Sequence, residues 1–287
     1  MACGCRWPAD GKAGLRIKRA GTRAMLYEDY THTLRQGFYA VQNEVGLGRQ
    51  EEAYQQACKL WFSENQLPVA SRPPHPLLLD GERAFVLYPD FVGWDAVSVE
   101  IKAVPRKLHM SEWVQVRDCM KCRDETLGLL VNFGLDRVHV ERVVHTPRKT
   151  TLTENWEYWQ DAISGNDRDV GLAVREVLRS VYTQHTTGYS DKVISKLLLF
   201  ALTRRGLSVT VNPMSKAYYR DVQVDESPLE CRVIADRLVL VHTALFDSNE
   251  FNISRGLSFM RAPGLKWGVA ANFGKDRAEF RGLRISR

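Results

Sequence analysis

The chain has 287 residues, 44% hydrophobic and 26% charged, a composition typical of a soluble globular protein. It contains no run of about 18 apolar residues, the length that a membrane-spanning helix requires, so we predict no membrane partner. The formal net charge of +6 favours an anionic partner such as nucleic acid.

The first 24 residues carry much of the positive charge. Six basic side chains there face the single acid Asp10, and no apolar segment typical of a secretion signal is present. We therefore predict a disordered basic tail over residues 1–24. Six cysteines without the spacing of a secreted disulfide scaffold indicate a reducing, cytoplasmic location. Cys119 and Cys122 form a lone CxxC, which we interpret as reduced thiols on a helix, because a zinc site would need Cys3 and Cys5 from the tail.

The spacing of apolar residues predicts helices over residues 50–62 and 110–122. Strands are predicted over residues 67–70, 84–88, 97–102, 129–133 and 137–144, with Asp80-Gly81 as a hairpin turn. This order predicts a small mixed β-sheet flanked by helices.

The second half of the chain repeats the first. Gly128-Leu-Leu-Val-Asn-Phe-Gly134 returns as Gly268-Val-Ala-Ala-Asn-Phe-Gly274, 140 residues later. The same offset places Gly48 on Gly188 and Pro73 on Pro213. Such a shared register indicates a tandem duplication. We predict one unit over residues 25–145, a polar linker over 146–169 in which residues 155–159 are able to start a helix, and a second unit over 170–287.

Three residues of the first unit have the pattern of a metal-dependent site. Glu100 and Lys102 share one face of a strand, and Asp90 ends the preceding strand. Two adjacent carboxylates repel each other, and a hard cation such as Mg²⁺ or Mn²⁺ removes the repulsion. Lys102 then stabilises charge on a phosphate. The alternative is that Glu100 and Lys102 form an ordinary surface ion pair.

The arrangement of Asp90, Glu100 and Lys102 resembles the D…ExK signature of the PD-(D/E)XK nuclease superfamily. Residues 48–54 (Gly-Arg-Gln-Glu-Glu-Ala-Tyr) resemble the motif of its GxxExxY branch, and Gln115 followed by residues 128–134 resembles another segment of that branch. The resemblance covers residues 34–144. It implies an α/β fold in which each of two tandem restriction-endonuclease-like units has a small mixed sheet flanked by helices.

The resemblance also implies roles for individual side chains. Asp90 and Glu100 hold the metal, and Glu51 reaches the same metal or its waters. Lys102 positions or activates the attacking water, and Gln115 lies near the scissile phosphate. Cys119 stands where the family has a tyrosine, which puts the placement of the substrate in question. We interpret Tyr54 and Trp113 as packing residues.

The second unit lacks this set of residues. The offset of 140 puts Glu230, Leu240 and His242 in the places of Asp90, Glu100 and Lys102, and it puts Asp191 and Arg255 in those of Glu51 and Gln115. Because leucine cannot bind a hard cation, we predict a degenerate pseudo-nuclease unit. It serves as a pseudo-dimer partner within the chain, or as a basic face carrying Arg255, Arg261, Lys266 and Arg281.

These observations predict a Mg²⁺- or Mn²⁺-dependent phosphodiesterase that hydrolyses nucleic acid, with DNA favoured over RNA, at a single site in the first unit. The alternative is a non-catalytic module that binds nucleic acid or assembles a complex while retaining the nuclease fold.

Overall fold

The computed structural model describes residues 27–160 and 162–285. The predicted basic tail lies outside these residues. In the part of the chain that is described, no helix is both long and apolar enough to cross a membrane.

The N-terminal half begins with two amphipathic helices, α1 (Glu28–Val45) and α2 (Glu51–Glu64). The buried residues recur every three to four positions, so each helix buries one face: Leu34, Phe38 and Val41 on α1, and Tyr54, Cys58 and Phe62 on α2. The remaining elements follow in chain order: β1 (Val69–Ser71), β2 (His75–Leu79), β3 (Glu82–Leu87), β4 (Phe91–Gly93), β5 (Val97–Lys102), α3 (Met110–Cys122), β6 (Leu127–Asn132) and β7 (His139–Val144).

The N-terminal sheet has the strand order β1-β4-β5-β6-β7, and β2 and β3 form a separate hairpin. Strands β5 and β6 are parallel, whereas the other pairs of this sheet are antiparallel. Val97, Val99 and Ile101 pack against α1 and α2 on one face. On the other face, Val116 and Met120 of α3 pack against the sheet. The mixed sheet is thus enclosed by helices on both faces, the α/β arrangement that the sequence predicts.

The predicted strand over 97–102 and helix over 110–122 are confirmed to the residue. The helix predicted over 50–62 is also confirmed, and Asp80-Gly81 forms the turn between β2 and β3. Sequence analysis did not assign α1, β2 or β4. Strand β4 has only three residues, all buried, so it offers no alternation of buried and exposed positions.

The C-terminal half contains β8 (Thr151–Asn155), a 3-10 turn (Glu157–Trp159), α4 (Gly165–His185), α5 (Asp191–Arg204), β9 (Val209–Val211), β10 (Met214–Tyr219), β11 (Val222–Pro228), β12 (Arg232–Ile234), β13 (Leu238–Ala244), α6 (Glu250–Arg261), β14 (Trp267–Phe273) and β15 (Arg277–Arg284). Its sheet has the order β8-β15-β14-β13-β12-β9, and β10 pairs only with β11 among the described strands. From α4 onward, the types and order of the elements match those from α1 to β7.

The predicted linker requires a correction. Residues 151–155 form β8, which pairs in parallel with β15 at the edge of the C-terminal sheet. Trp159 is 6% exposed, and its indole Nε1 donates to the carbonyl of Leu283 at 3.0 Å. Residues 155–159 therefore start no α-helix; α4 begins at Gly165. Residues 151–155 are thus part of the second sheet, and Trp159 packs in the core of the C-terminal half.

The two halves share a core. Leu77 and Leu79 of the hairpin β2–β3 are almost fully buried in the cluster formed by α4 and α5. At a second contact, the Asp118 carboxylate on α3 accepts a hydrogen bond of 2.8 Å from the backbone N–H of Ser190. The N-terminal half therefore completes the core of the C-terminal half.

Candidate active site

The pairing of β4 with β5 places two carboxylates together. Phe91 on β4 pairs with Val99 on β5 in antiparallel register. Asp90 precedes Phe91 and Glu100 follows Val99, so these two residues are neighbours across the strands. Glu51 is the first residue of α2, and Lys102 ends β5.

Asp90 is held in one orientation by two donors. Its Oδ1 accepts a hydrogen bond of 2.8 Å from Nε2 of Gln55, and its Oδ2 accepts one of 2.7 Å from the backbone N–H of Ile101. Only 7% of the residue is exposed. A carboxylate with both oxygens fixed and little solvent access is pre-organised rather than free on a surface.

Lys102 lies between the other two acids. Its Nζ donates to Oε1 of Glu100 at 2.8 Å and lies 3.6 Å from Oε2 of Glu51. The side chains of Lys102 and Glu100 are 13% and 14% exposed, so this is not the exposed surface pair that sequence analysis weighed as an alternative.

The electrostatics of the site favour binding of a cation. Burial, followed by repulsion from Glu100, raises the pKa of Asp90 to about 7. Burial also raises the pKa of Glu100 and of Glu51, although the Lys102 ammonium opposes both shifts. Burial alone would lower the pKa of Lys102, but Glu100 and the other carboxylates outweigh it, and the pKa is raised. The acids are thus costly to ionise without a cation, while the lysine stays protonated.

The donor set suits a hard cation that keeps most of its waters. Across residues 27–160 and 162–285, no three side chains of His, Cys, Asp or Glu form a group able to cage a metal ion. Mg²⁺ commonly binds through one or two carboxylates and completes its shell with water and substrate phosphate. Asp90 and Glu100 fit that requirement. Glu51 lies across Lys102 from Glu100 and is joined to Asp90 through Gln55, whose Nε2 is 3.4 Å from Glu51 Oε1 and 2.8 Å from Asp90 Oδ1.

Gln115 is exposed on α3, and no hydrogen bond among the described residues joins it to this cluster. Sequence analysis missed Gln55 and Arg72. Gln55 lies one helical turn after Glu51, a spacing that places both side chains on the same face of α2 and offered a signal. The charge of Arg72 lowers the pKa of Asp90 and of Glu100, in both cases less than burial raises it. Its place in the chain, after a three-residue strand, gave no such signal.

Cys119, which replaces the tyrosine expected from the family resemblance, is buried on α3. Burial, together with the nearby charge of Glu100, raises the pKa of its thiol. It is therefore a neutral thiol near Glu100. Tyr54 is confirmed as a packing residue: it is fully buried and stacks on Phe133 with ring centroids 4.6 Å apart. Trp113 lies half-buried against the cluster formed by α3 and the sheet.

The equivalent positions in the C-terminal half follow from strand register. Val97 of β5 pairs with Leu127, and Leu238 of β13 pairs with Trp267. Trp267 stands 140 residues after Leu127, but Leu238 stands 141 after Val97. Over this strand the offset is therefore 141. The hairpins β2–β3 and β10–β11 still pair at an offset of 140, so the extra residue lies in the connection between β11 and β12.

This register corrects the sequence assignment. Asp90, Glu100 and Lys102 correspond to Cys231, Val241 and Thr243, and not to Glu230, Leu240 and His242. His242 instead takes the place of Ile101 and faces α5, where its Nδ1 lies 2.9 Å from Nη1 of Arg232. Burial, then the charge of Arg232, lowers the pKa of His242 to about 3, so the imidazole is neutral.

The raised pKa of Asp90 predicts a pH-dependent gain in stability on removal of its charge. An unfolded aspartate titrates near pH 3.9, about three units below folded Asp90. Folding therefore favours the protonated form, and that contribution is lost as the pH rises from about 4 through about 7. Without metal, we expect Asp90→Asn to raise the free energy of unfolding by about 1–3 kcal/mol at pH 8 and to have little effect near pH 3.

Urea unfolding with a chelator present, repeated across this pH range, measures the effect. Asp221→Asn, at an exposed turn position, is the matched control for the loss of one aspartate charge. A difference between Asp90→Asn and wild type that does not change with pH would contradict the electrostatic explanation.

Comparison with curated proteins and with solved structures gives no match to this chain. Comparison with family models does give one. The region from the start of α1 to the end of β7 contains the paired carboxylates and Lys102 within a mixed α/β architecture consistent with a nuclease fold. Residues 28–143, almost all of that region, match the family model of the PD-(D/E)XK nuclease superfamily.

Proposed function

We propose that this protein is a metal-dependent nuclease with one active site, formed by Asp90, Glu100, Lys102 and Glu51. The observation that carries the proposal is the buried Asp90–Glu100 pair beside the protonated Lys102, inside the segment that matches the nuclease superfamily. An ordinary structural ion pair does not require a second, repelling carboxylate with a pKa raised to about 7.

Asp90 and Glu100 would hold Mg²⁺ or Mn²⁺, which would supply Lewis-acid activation of water and of the phosphate. Gln55 and the N–H of Ile101 keep Asp90 oriented. Lys102, whose pKa is raised, would donate to a phosphate oxygen and would stabilise the negative charge that develops on the phosphoryl oxygens. Glu51 would orient the attacking water and accept its proton. The water oxygen would bond to phosphorus as the ester P–O bond breaks, and the leaving oxygen would depart as a hydroxyl after taking up a proton from solvent. Gln115, from the exposed side of α3, would contact the substrate.

We further propose that the first unit belongs to the GxxExxY branch. The motif has local structural roles here: Gly48 has a φ of 76°, in the region that favours glycine, and the Tyr54 hydroxyl donates to the carbonyl of Gly46 at 2.8 Å. The matching order of elements in the two halves supports a tandem duplication. Val241 and Thr243 at the metal and lysine positions support a degenerate second unit that does not catalyse.

The favoured substrate is DNA, on the basis of the net charge and the family resemblance. The described cysteines, Cys58, Cys119, Cys122 and Cys231, are free thiols, which supports a reducing, cytoplasmic setting. One observation favours a second function, a module that binds nucleic acid without cutting it: Lys102 already pairs with Glu100. A metal must compete with this ammonium for that carboxylate.

Calorimetric titration with Mn²⁺ tests the metal site directly. We expect one bound ion per chain in the wild type and none in Asp90→Ala, because that variant removes a carboxylate that would hold the ion. Since a proton competes with the metal at Asp90, whose pKa is about 7, the affinity should rise between pH 6 and pH 8.

The titration should be repeated with an oligonucleotide whose phosphates can complete the metal shell. Cys231→Ala, at the position equivalent to Asp90 in the second unit, is the matched control and should bind Mn²⁺ like the wild type. Equal binding by Asp90→Ala and wild type, or no binding with the oligonucleotide present, would overturn the nuclease proposal and favour the binding module.

A further inference from the structure

The hairpin β2–β3 of the first unit is anchored on the second unit. Leu79 is 1% exposed in the core of α4 and α5. At the tip of the hairpin, the Asp80 N–H donates to Oε1 of Gln184 at 2.8 Å, and the Asp80 carboxylate lies 3.4 Å from Arg204 at the end of α5. Arg204 also pairs with Glu82 at 2.9 Å. The chain thus shows how a hairpin of this kind docks on a pair of helices.

The corresponding hairpin β10–β11 of the second unit has the same local geometry. Each hairpin contains one irregularity, after Leu77 in β2 and after Ala217 in β10. The turn residues Asp80 and Arg220 both have a left-handed backbone conformation, with φ angles of 50° and 53° respectively. Arg220 therefore corresponds to Asp80, and Tyr219 corresponds to the buried Leu79.

This second hairpin has no comparable cover. Its large apolar side chains are 59–65% exposed: Met214, Tyr218, Tyr219, Val222 and Val224. Tyr219 and Val224 stand at the positions of Leu79 and Ala84, which face the helices in the first hairpin, whereas Met214 and Tyr218 lie on the other side. Exposed apolar side chains on the docking side are of the kind that marks an interaction surface.

The helical surface on which the hairpin β2–β3 docks also has a counterpart in the first unit. Helices α2 and α5 have 14 residues each, and their last residues are Glu64 and Arg204. At the position of Phe200, which packs against the shared core, α2 carries Leu60, and Leu60 is 63% exposed. The α1–α2 face of the first unit is thus the counterpart of the α4–α5 face, but no hairpin occupies it among the described residues.

Both charges of the docking pair are reversed. In the occupied contact an acidic tip, Asp80, meets a basic helix end, Arg204. In the two uncovered surfaces the tip is basic, Arg220, and the helix end is acidic, Glu64. Gln184, which also holds the Asp80 tip, is replaced by Glu44. The Arg220 tip thus suits an α1–α2 face, whereas an α4–α5 face would oppose it with Arg204.

We propose that two copies of this chain associate head to tail, with the hairpin β10–β11 of one copy docked on the α1–α2 face of the other. The contact repeats the intramolecular docking with the charges exchanged. If each copy docks its hairpin β10–β11 on the other, the two contacts between the copies and the two within them close a ring. The dimer then has no free docking face. Glu51 lies at the opposite end of α2 from Glu64, so the candidate active site stays outside the contact. The inference does not depend on nuclease activity.

Sedimentation velocity on the full chain tests the proposal over protein concentrations from about 2 to about 200 µM, where mass action populates a moderately weak dimer. We expect a concentration-dependent dimer in the wild type. Arg220→Glu and Glu64→Arg should each weaken it by about tenfold or more, which is ~1.4 kcal/mol. The double variant, which restores opposite charges, should recover dimerisation.

Lys216→Glu is the matched control. Lys216 lies on the same hairpin at the position of the exposed Pro76, on the side that does not dock, and its reversal should leave the dimer intact. A monomer throughout the concentration range, a dimer insensitive to Arg220→Glu, or a double variant that fails to recover would each overturn the proposal. Circular dichroism of every variant distinguishes loss of contact from loss of folding.

Discussion

Lys102→Ala is expected to lower metal-dependent cleavage of nucleic acid by about 100- to 1,000-fold, the effect of removing one electrostatic donor from a buried active site. Lys102 is held by Glu100 at 2.8 Å and its pKa is raised, so it acts as a fixed positive charge and not as a proton acceptor. Single-turnover cleavage of labelled DNA and RNA in the presence of Mn²⁺ measures the loss.

Metal binding by the same variant separates catalysis from simple damage to the site. The ammonium of Lys102 competes with a metal for Glu100, so Lys102→Ala should bind Mn²⁺ at least as tightly as the wild type. A variant that neither cleaves nor binds metal would indicate a collapsed site, and one that cleaves normally would exclude Lys102 from the chemistry.

Thr243→Ala is the matched control for Lys102→Ala, because Thr243 holds the corresponding position on β13. The proposal expects its cleavage rate to equal that of the wild type. A comparable loss in Thr243→Ala would show that the second unit takes part in catalysis and would contradict the single-site proposal.

The central part of the candidate site could be predicted from sequence because its geometry is local. A strand before a tight turn must return beside the strand after it, so the ten-residue separation of Asp90 and Glu100 already implied that they are neighbours. The alternation of apolar and polar residues from Val97 to Lys102 placed Glu100 and Lys102 on one face. Gln55 was also within reach of sequence analysis, as it lies one turn after Glu51.

The correspondence between the two units failed for a different reason. Landmarks on both sides of the site keep an offset of 140, which favoured an alignment without gaps. The second unit has one extra residue between β11 and β12 and one residue fewer before α6. The two changes cancel outside the region between them, so the identity matches do not reveal them. Hydrogen-bond register, in contrast, fixes the correspondence strand by strand, since a slip of one residue exchanges the two faces.

The position of the hairpin β2–β3 was also beyond sequence analysis. Leu77, Leu78 and Leu79 form a continuous apolar run, which indicates burial but not the surface that covers it. The structure gives the answer: Leu77 and Leu79 enter the core of the C-terminal half, while Leu78 between them is 48% exposed. The hydrophobic core of the C-terminal half therefore includes residues from before the predicted domain boundary at residue 145.

This shared core predicts a large effect from a single substitution. Leu79→Ala is expected to lower the free energy of unfolding by about 2–5 kcal/mol, the range for truncating a leucine in a packed core. Although Leu79 belongs to the N-terminal half, the loss should fall on the C-terminal half, because the side chain packs in the cluster of α4 and α5. Hydrogen exchange should show faster amide exchange in α5 than in the wild type.

Tyr219→Ala provides the matched comparison, since Tyr219 occupies the same position in the second hairpin but is 65% exposed. Urea unfolding at a protein concentration low enough to keep the chain monomeric should show a change within about 0.5 kcal/mol for that variant. If Leu79→Ala were equally mild, or if faster exchange were confined to the N-terminal sheet, the shared core would be ruled out. Together the two variants separate a hairpin that is already docked from one that is free to dock on another copy.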